Sequence, residues 1–243
     1  MRVAALYDIH GNIDALEAVL EEIDEPDAIV VGGDIAWGPF PRLTVERLAT
    51  IEIPVLTLQG NADREVAAGQ TSAGGWVDEV NTWCASQLTE EQRASLGNLP
   101  ATVTLVGEIG EVLFCHATPR SDEELITSQT PDAALIEVLG GVKTPIVVCG
   151  HTHTQFDRNV SRWRVINAGS VGLPNEDLPG AYWLDLEGDR LQLRRAEYDY
   201  EATASRIRTS GCPYSERFED SILQPTTAAE ATAHFESLRK GRH

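Results

Sequence analysis

The amino-acid sequence predicts an α/β protein, and three observations carry that prediction. Short apolar runs alternate with stretches of helical spacing, in the order strand, helix, strand, helix, strand, before residue 60. Each apolar run ends in a glycine- or polar-rich turn, as buried strands do. The 243 residues, 42% hydrophobic and 23% charged, can bury a full core as one domain, residues 1–243, with a small insertion or cap.

Residues 3–7 are apolar and bounded by polar residues, which predicts a buried strand. After the turn DIHGN, Ile13, Leu16, Val19, Leu20 and Ile23 recur at helical spacing, and Pro26 supplies a stop. A second strand is expected over residues 28–31, ending in GGD, then a helix over 43–51 and a third strand over 54–58, ending in QGNAD. That order argues for parallel pairing through crossovers. From Arg64 to Pro100 the pattern changes: small residues cluster in AAGQTSAGG, and residues 77–96 read as one helix, so 64–100 is expected to be an insertion or cap. Strands over 102–106 and 112–115, split by GEIG, predict a hairpin. A helix over 132–139 and strands over 145–149, 163–166, 181–186 and 191–197 complete the pattern. Residues 202–243 read as a polar, acidic tail with helical stretches and no motif.

Composition narrows the function. The 38 acidic and 19 basic residues give a formal charge of −19, which repels nucleic-acid backbones and anionic membranes. A phosphate substrate would face the same repulsion unless bound divalent cations supplied local positive charge. No apolar run reaches membrane-spanning length, and the first residues lack the pattern of a secretory signal. Cys84, Cys115, Cys149 and Cys212 show neither C-x-x-C nor framework spacing, so buried thiols and a cytoplasmic location are expected.

Five short motifs fall where a strand hands over to a loop: DIH (Asp8, His10), GGD (Asp34), GNAD (Asn61, Asp63), CHA (His116) and GHTH (His151, His153). Ligand sites gather at the carboxyl ends of parallel strands, so these loops can converge. Carboxylate, imidazole and amide oxygen form a mixed set suited to manganese, iron, zinc, nickel or cobalt. Each motif alone is weak, since a GD or GN pair is commonly only a turn. Together they hold four of the six histidines; His234 and His243 lie in the tail.

The ordered set D-x-H, G-D, G-N-x-D, H and G-H-x-H resembles the calcineurin-like metallophosphoesterase superfamily, more closely its compact bacterial and archaeal phosphodiesterase branch. The resemblance runs from Asp8 to His153 and on through INAGSVGLP, which is similar to a glycine-serine turn of that family. It implies a four-layered α/β/β/α sandwich. It also implies one metal held by Asp8, His10 and His153, a second held by Asn61, His116 and His151, and Asp34 bridging them. A carboxylate between two cations lowers their repulsion, and metals about 3.5–4 Å apart could hold a bridging hydroxide and clamp an in-line displacement. Asp63 is expected to orient a neighbouring group; an exposed turn carboxylate is the competing reading. The implied activity is hydrolysis of a small phosphate ester, phosphodiester favoured over monoester, with two divalent ions, manganese favoured.

One position departs from the family pattern. Where many members carry histidine in G-N-x-D, this chain has Ala62, which can donate no proton to a leaving group. Arg64 and Arg120 each follow a motif and could reach a substrate phosphate, or be solvated loop arginines. Asn175 stands where relatives often carry arginine, and Ser170 reads as a turn serine. Two other readings compete: a catalytically weak metal-binding scaffold of the same fold, and a dinuclear amide or lactam hydrolase, which the motif order disfavours. The chain has no phosphate-binding loop, nucleophile elbow or H-E-x-x-H helix.

Overall fold

Side-chain alternation on the first strand decides the architecture. On β1 (Arg2–Leu6) Val3 and Ala5, with Tyr7 beyond, face one core, while Ala4 and Leu6 face another. A strand apolar on both faces must be covered on both. The computed structural model describes residues 1–69 and 74–241. Gln70–Ala73 of the small-residue stretch, and His243, lie outside the described residues.

One sheet has the order β10-β9-β1-β2-β3. The parallel strands β2 (Ala28–Val31) and β3 (Val55–Thr57) extend from β1 through α1 (Ile13–Glu22) and α2 (Pro41–Ala49). The antiparallel strands β9 (Ala181–Glu187) and β10 (Arg190–Ala196) close its other side. The second sheet, β4-β5-β6-β8-β7, holds the hairpin β4 (Thr102–Gly107) and β5 (Gly110–Cys115), then β6 (Ile146–Cys149), β7 (Phe156–Val160) and β8 (Trp163–Asn167). Val3, Ala5, Val30 and Leu184 of the first sheet meet Val112, Phe114, Val148 and Ile166 of the second in the central core. Outside the second sheet, Leu135 and Leu139 of α6 (Asp132–Leu139) cover Val147, Cys149 and Val165. Helices on the far side of the first sheet complete the α/β/β/α order.

Several elements differ from expectation. The helix expected over 77–96 is two, α4 (Trp76–Gln87) and α5 (Glu90–Gly97). Leu88 is extended, and Thr89 and Gln92 form a reciprocal capping box that starts the second helix. A further helix, α3 (Asn61–Ala68), begins inside GNAD, where only a turn was expected. Strand β7 was not foreseen because only its end residues, Phe156 and Val160, are buried.

The chain beyond Ala202 is more than a polar tail. It belongs to α7 (Tyr200–Arg208), α8 (Ser215–Leu223) and α9 (Ala228–Gly241). Ala204, Ile207, Cys212, Phe218 and Ile222 join the core that covers the first sheet. Thr127 and Thr130 donate hydrogen bonds to buried Glu236 and dock α9 against the loop before α6. All four cysteines are buried and free. Among the described residues no helix is long and apolar enough to cross a membrane.

Phe218→Ala should therefore cost about 3–5 kcal/mol of unfolding free energy, the range for a buried phenylalanine. Urea unfolding checks this; an unchanged midpoint and slope would mean that the C-terminal helices contribute no core.

Candidate metal centre

Strand geometry brings the motif residues together. Asp8 and His10 follow β1, Asp34 follows β2, and Asn61 and Asp63 follow β3 in the first turn of α3. His116 follows β5, and His151 and His153 follow β6. These are all carboxyl ends, drawn from both sheets. Five of the residues, Asp8, His10, Asp34, His151 and His153, have φ between 49° and 65°. Non-glycine residues avoid that region, at a cost of about 1–3 kcal/mol each, and such strain concentrates at functional sites.

Two groups of side chains able to hold a metal ion result: Asp8, His10 and His153, and Asp34, His116 and His151. In the first, His10 Nε2 lies 3.1 Å from His153 Nε2, and Asp8 Oδ1 lies 3.3 Å from His153 Nε2. Between the groups, Asp34 Oδ2 lies 3.7 Å from His10 Nε2 and 3.5 Å from His116 Nε2. Asn61 adjoins the second group, with the inward atom of its carboxamide 3.1 Å from both His116 Nε2 and His151 Nδ1. An inward nitrogen would donate to the two imidazoles, whereas a cation between them reverses the preference and calls for the oxygen.

Backbone carbonyls fix the imidazoles. His10 Nδ1 faces Trp37 O at 3.1 Å, His116 Nδ1 faces Gly32 O at 2.9 Å and His153 Nδ1 faces Leu173 O at 2.6 Å. With Nδ1–H donated outward, Nε2 is the nitrogen directed into the centre, the usual arrangement of a metal-ligating histidine. Trp37 is itself held by aromatic contacts with Trp76 of α4 and Phe218 of α8.

The carboxylates are placed as firmly. Asp8 Oδ2 accepts from His151 N at 2.8 Å, while Asp8 Oδ1, fully buried, has no hydrogen-bond partner. A buried carboxylate oxygen aimed at three imidazoles and otherwise unsatisfied suits a cation. Asp34 Oδ1 accepts from Ala62 N at 2.8 Å, which leaves Oδ2 for the space between the groups. Asp63 is fully buried, not an exposed turn carboxylate. Its Oδ2 accepts from Asp34 N at 2.8 Å and Gly60 N at 3.1 Å, and its Oδ1 from Ile35 N at 2.9 Å. It holds the GGD loop against the GNAD helix. Gly60 leaves no room for a side chain, because a Cβ there would lie 2.2 Å from Asp34 Oδ1.

Other sequence candidates stand outside the two groups. Arg64 is paired with Asp122 and Glu123, and Arg120 with Glu124. Asn175 donates its backbone N–H to His153 O and its side-chain amide to Thr152 O, so it pins the GHTH loop. Ser170 is the turn residue expected, with a further task that sequence reasoning missed. Its hydroxyl donates to Asp8 O at 2.7 Å and accepts from Leu173 N at 2.8 Å, tying the INAGSVGLP turn to the first ligand loop.

The electrostatics are those of a crowded, dry site. Burial and His153 push His10 down to about 4, and burial and His116 do the same to His151. Against burial, Asp34 holds His116 up to about 10, and Asp8 raises His153. His116 in turn holds the Asp34 carboxyl well below the usual range despite burial, and His153 lowers Asp8. Burial and the Asp34 charge push Asp63 up to about 7, against the pull of its backbone donors. A group with a raised value keeps its proton until pH passes that value, so His116 must lose a proton to a cation near neutral pH. Divalent-metal affinity should therefore rise about tenfold per pH unit between pH 7 and 9, with proton release visible by calorimetry in buffers of different ionisation enthalpy. A pH-independent affinity would contradict this assignment.

Comparison with known proteins agrees with the geometry. Residues 1–189 match the calcineurin-like phosphoesterase superfamily domain. The uncharacterized protein MJ0912 of Methanocaldococcus jannaschii is 24% identical over 238 residues, covering 87% of this chain and 93% of that protein. A hypothetical protein, PH1004 of Pyrococcus horikoshii, shares the fold with TM-score 0.81 at 21% identity, over 91% of this chain and 97% of that one. A metallophosphoesterase from Sphaerobacter thermophilus aligns with TM-score 0.75 at 25% identity, over 93% and 99% of the two chains. The domain match spans every motif that the two sheets bring together, and the chain belongs to the calcineurin-like phosphoesterase superfamily.

Proposed function

We propose that this protein is a two-metal phosphoesterase that hydrolyses phosphodiesters or activated phosphate esters. In this reading Asp8, His10 and His153 hold one divalent ion, Asn61, His116 and His151 hold the other, and Asp34 lies between them. The observation that carries the reading is the position of Asp34 Oδ2, within 3.7 Å of an imidazole nitrogen from each group. Superfamily membership supports a metal-dependent hydrolase. The mixed nitrogen and oxygen donors fit manganese, iron, nickel, cobalt or zinc, with manganese the first to try.

Bound ions would supply a water of lowered pKa and polarise the phosphoryl oxygens. The chain's own residues hold that chemistry in place. Asp63 fixes the Asp34 loop, Ser170 fixes the Asp8 loop, and backbone carbonyls set the imidazoles. The −19 formal charge makes a small ester a better substrate than a nucleic-acid polymer or a membrane surface. Four buried free thiols suit a reducing compartment, so the cytoplasm is the proposed location.

Ala62 shapes the substrate preference. Its methyl group offers no acid, and its backbone N–H is already committed to Asp34 Oδ1. A leaving alkoxide therefore finds no proton donor at this position, a loss of about 10²–10⁴-fold where such an acid operates.

Chelator-treated protein should have no esterase activity, and manganese should restore hydrolysis of aryl phosphodiesters. Aryl diesters should outrun alkyl monoesters by about 10²-fold or more, in line with the missing acid. A panel of both substrate types with each metal tests this. Alkyl monoesters as the better substrates would overturn the preference, and inactivity with every metal would overturn the enzyme reading.

A further inference from the structure

We propose that Asn167 is a positioning residue for both metal-ligand groups. It clamps the GHTH turn on either side of His151 and so sets where His151 and His153 stand. The proposal rests on the two-metal reading and adds to it a residue that ties one ion site to the other. Asn167 ends β8 and lies beside Cys149, the end of β6, in the parallel pairing of those strands. Strand β6 runs on into Gly150, so the Asn167 side chain stands level with the start of the GHTH turn.

The side chain is fully buried. Its Nδ2 donates to Gly150 O at 2.7 Å and to Thr152 Oγ1 at 3.0 Å, and its Oδ1 accepts from Gly169 N at 2.9 Å. Both N–H donors of the amide are thus spent on the two residues that flank His151. Thr152 passes the restraint on, because its hydroxyl donates to Ile126 O at 3.1 Å, in the stretch between His116 and α6.

The turn needs such a hold. Thr152 N donates to Gly150 O at 2.8 Å across His151, whose φ is 65°. A bond from residue i+2 to residue i about a positive φ is the rare, strained form of the γ-turn. His153 follows at φ 56°, also left-handed. Gly150 has no room to shift toward Asp8, since a Cβ on it would lie 2.4 Å from Asp8 Oδ2. The Asn167 amide binds the carbonyl that closes the γ-turn and the hydroxyl of the residue between the two histidines. Asn175 bonds the carbonyls of Thr152 and His153, and leaves those two atoms to Asn167. His151 stands with Asp34 and His116, and His153 with Asp8 and His10, so one amide acts on both groups.

Manganese titration followed by calorimetry tests this, with unfolding measured on the same samples. Asn167→Ala should weaken both binding steps by about 10–100-fold, the usual cost of losing a group that orients metal ligands. Thr152→Val deletes the hydroxyl and keeps the branched shape. It should also weaken both steps, and Thr152→Ser should restore them; this pair decides the matter should Asn167→Ala fail to fold. Leu139 is buried on α6, against the outer face of the second sheet. Leu139→Ala should lower stability and leave both affinities unaltered, which separates positioning from a general loss of packing. Unchanged affinities in Asn167→Ala and Thr152→Val, weakening at one ion alone, or an equal loss in Leu139→Ala would overturn the proposal. Failure of the unmodified protein to bind two ions would overturn the two-metal reading, and the proposal with it.

Discussion

Three carboxylates, Asp8, Asp34 and Asp63, are buried together where two sheets end; among the described residues the ion-pair partners of Asp8 and Asp34 are histidines alone, and Asp63 is met by backbone N–H groups. Dry interior penalises each negative charge, and removing positive partners from such a cluster is strongly destabilising. The rest of the site follows from that concentration of charge. His116 is held protonated by Asp34, His10 and His151 are driven neutral by burial and their imidazole neighbours, and Asp63 is offset by three backbone N–H donors. The arrangement stores unfavourable electrostatics and left-handed backbone in the same few residues. A divalent cation in each group would relieve the first and give the second its purpose.

The scaffold explains how that strain is tolerated. Each ligand loop leaves a strand that is fixed on both faces, and each is tied to another loop by backbone hydrogen bonds. Asp8 N donates to Gly33 O, His10 N to Asp34 O, and Gly172 N to Asp8 O. The α4 and α8 side chains Trp76 and Phe218 reach the centre indirectly, through contact with Trp37, whose carbonyl faces His10 Nδ1. Helices far from the motifs in sequence thus help to set the position of a candidate ligand.

What was legible in the sequence was local. The strands at β1, β2 and β6 and the helix α6 show in apolar runs and helical spacing, and the motif residues show because each ends a strand. The break between α4 and α5 was also readable, since Thr89 and Gln92 carry the capping-box spacing, but an apolar periodicity on both sides masked it. Strand β7 lacked a signal because its middle, Asp157 to Asn159, is polar. The bracing contacts were invisible for a different reason. Ser170 and Asp8 are 162 residues apart, and Trp37 acts through a carbonyl that every residue possesses. Pairing of Arg64 and Arg120 with nearby acids needed coordinates, because loop residues carry no periodicity that fixes their partners.

The proposed place of Asp34 is between two metal ions. Metal counting combined with electron paramagnetic resonance of the manganese-loaded protein tests it most directly. Two ions per chain with an exchange-coupled spectrum are expected, since a shared carboxylate at short separation would couple their spins. A single ion per chain, or two ions with independent six-line spectra, would contradict it.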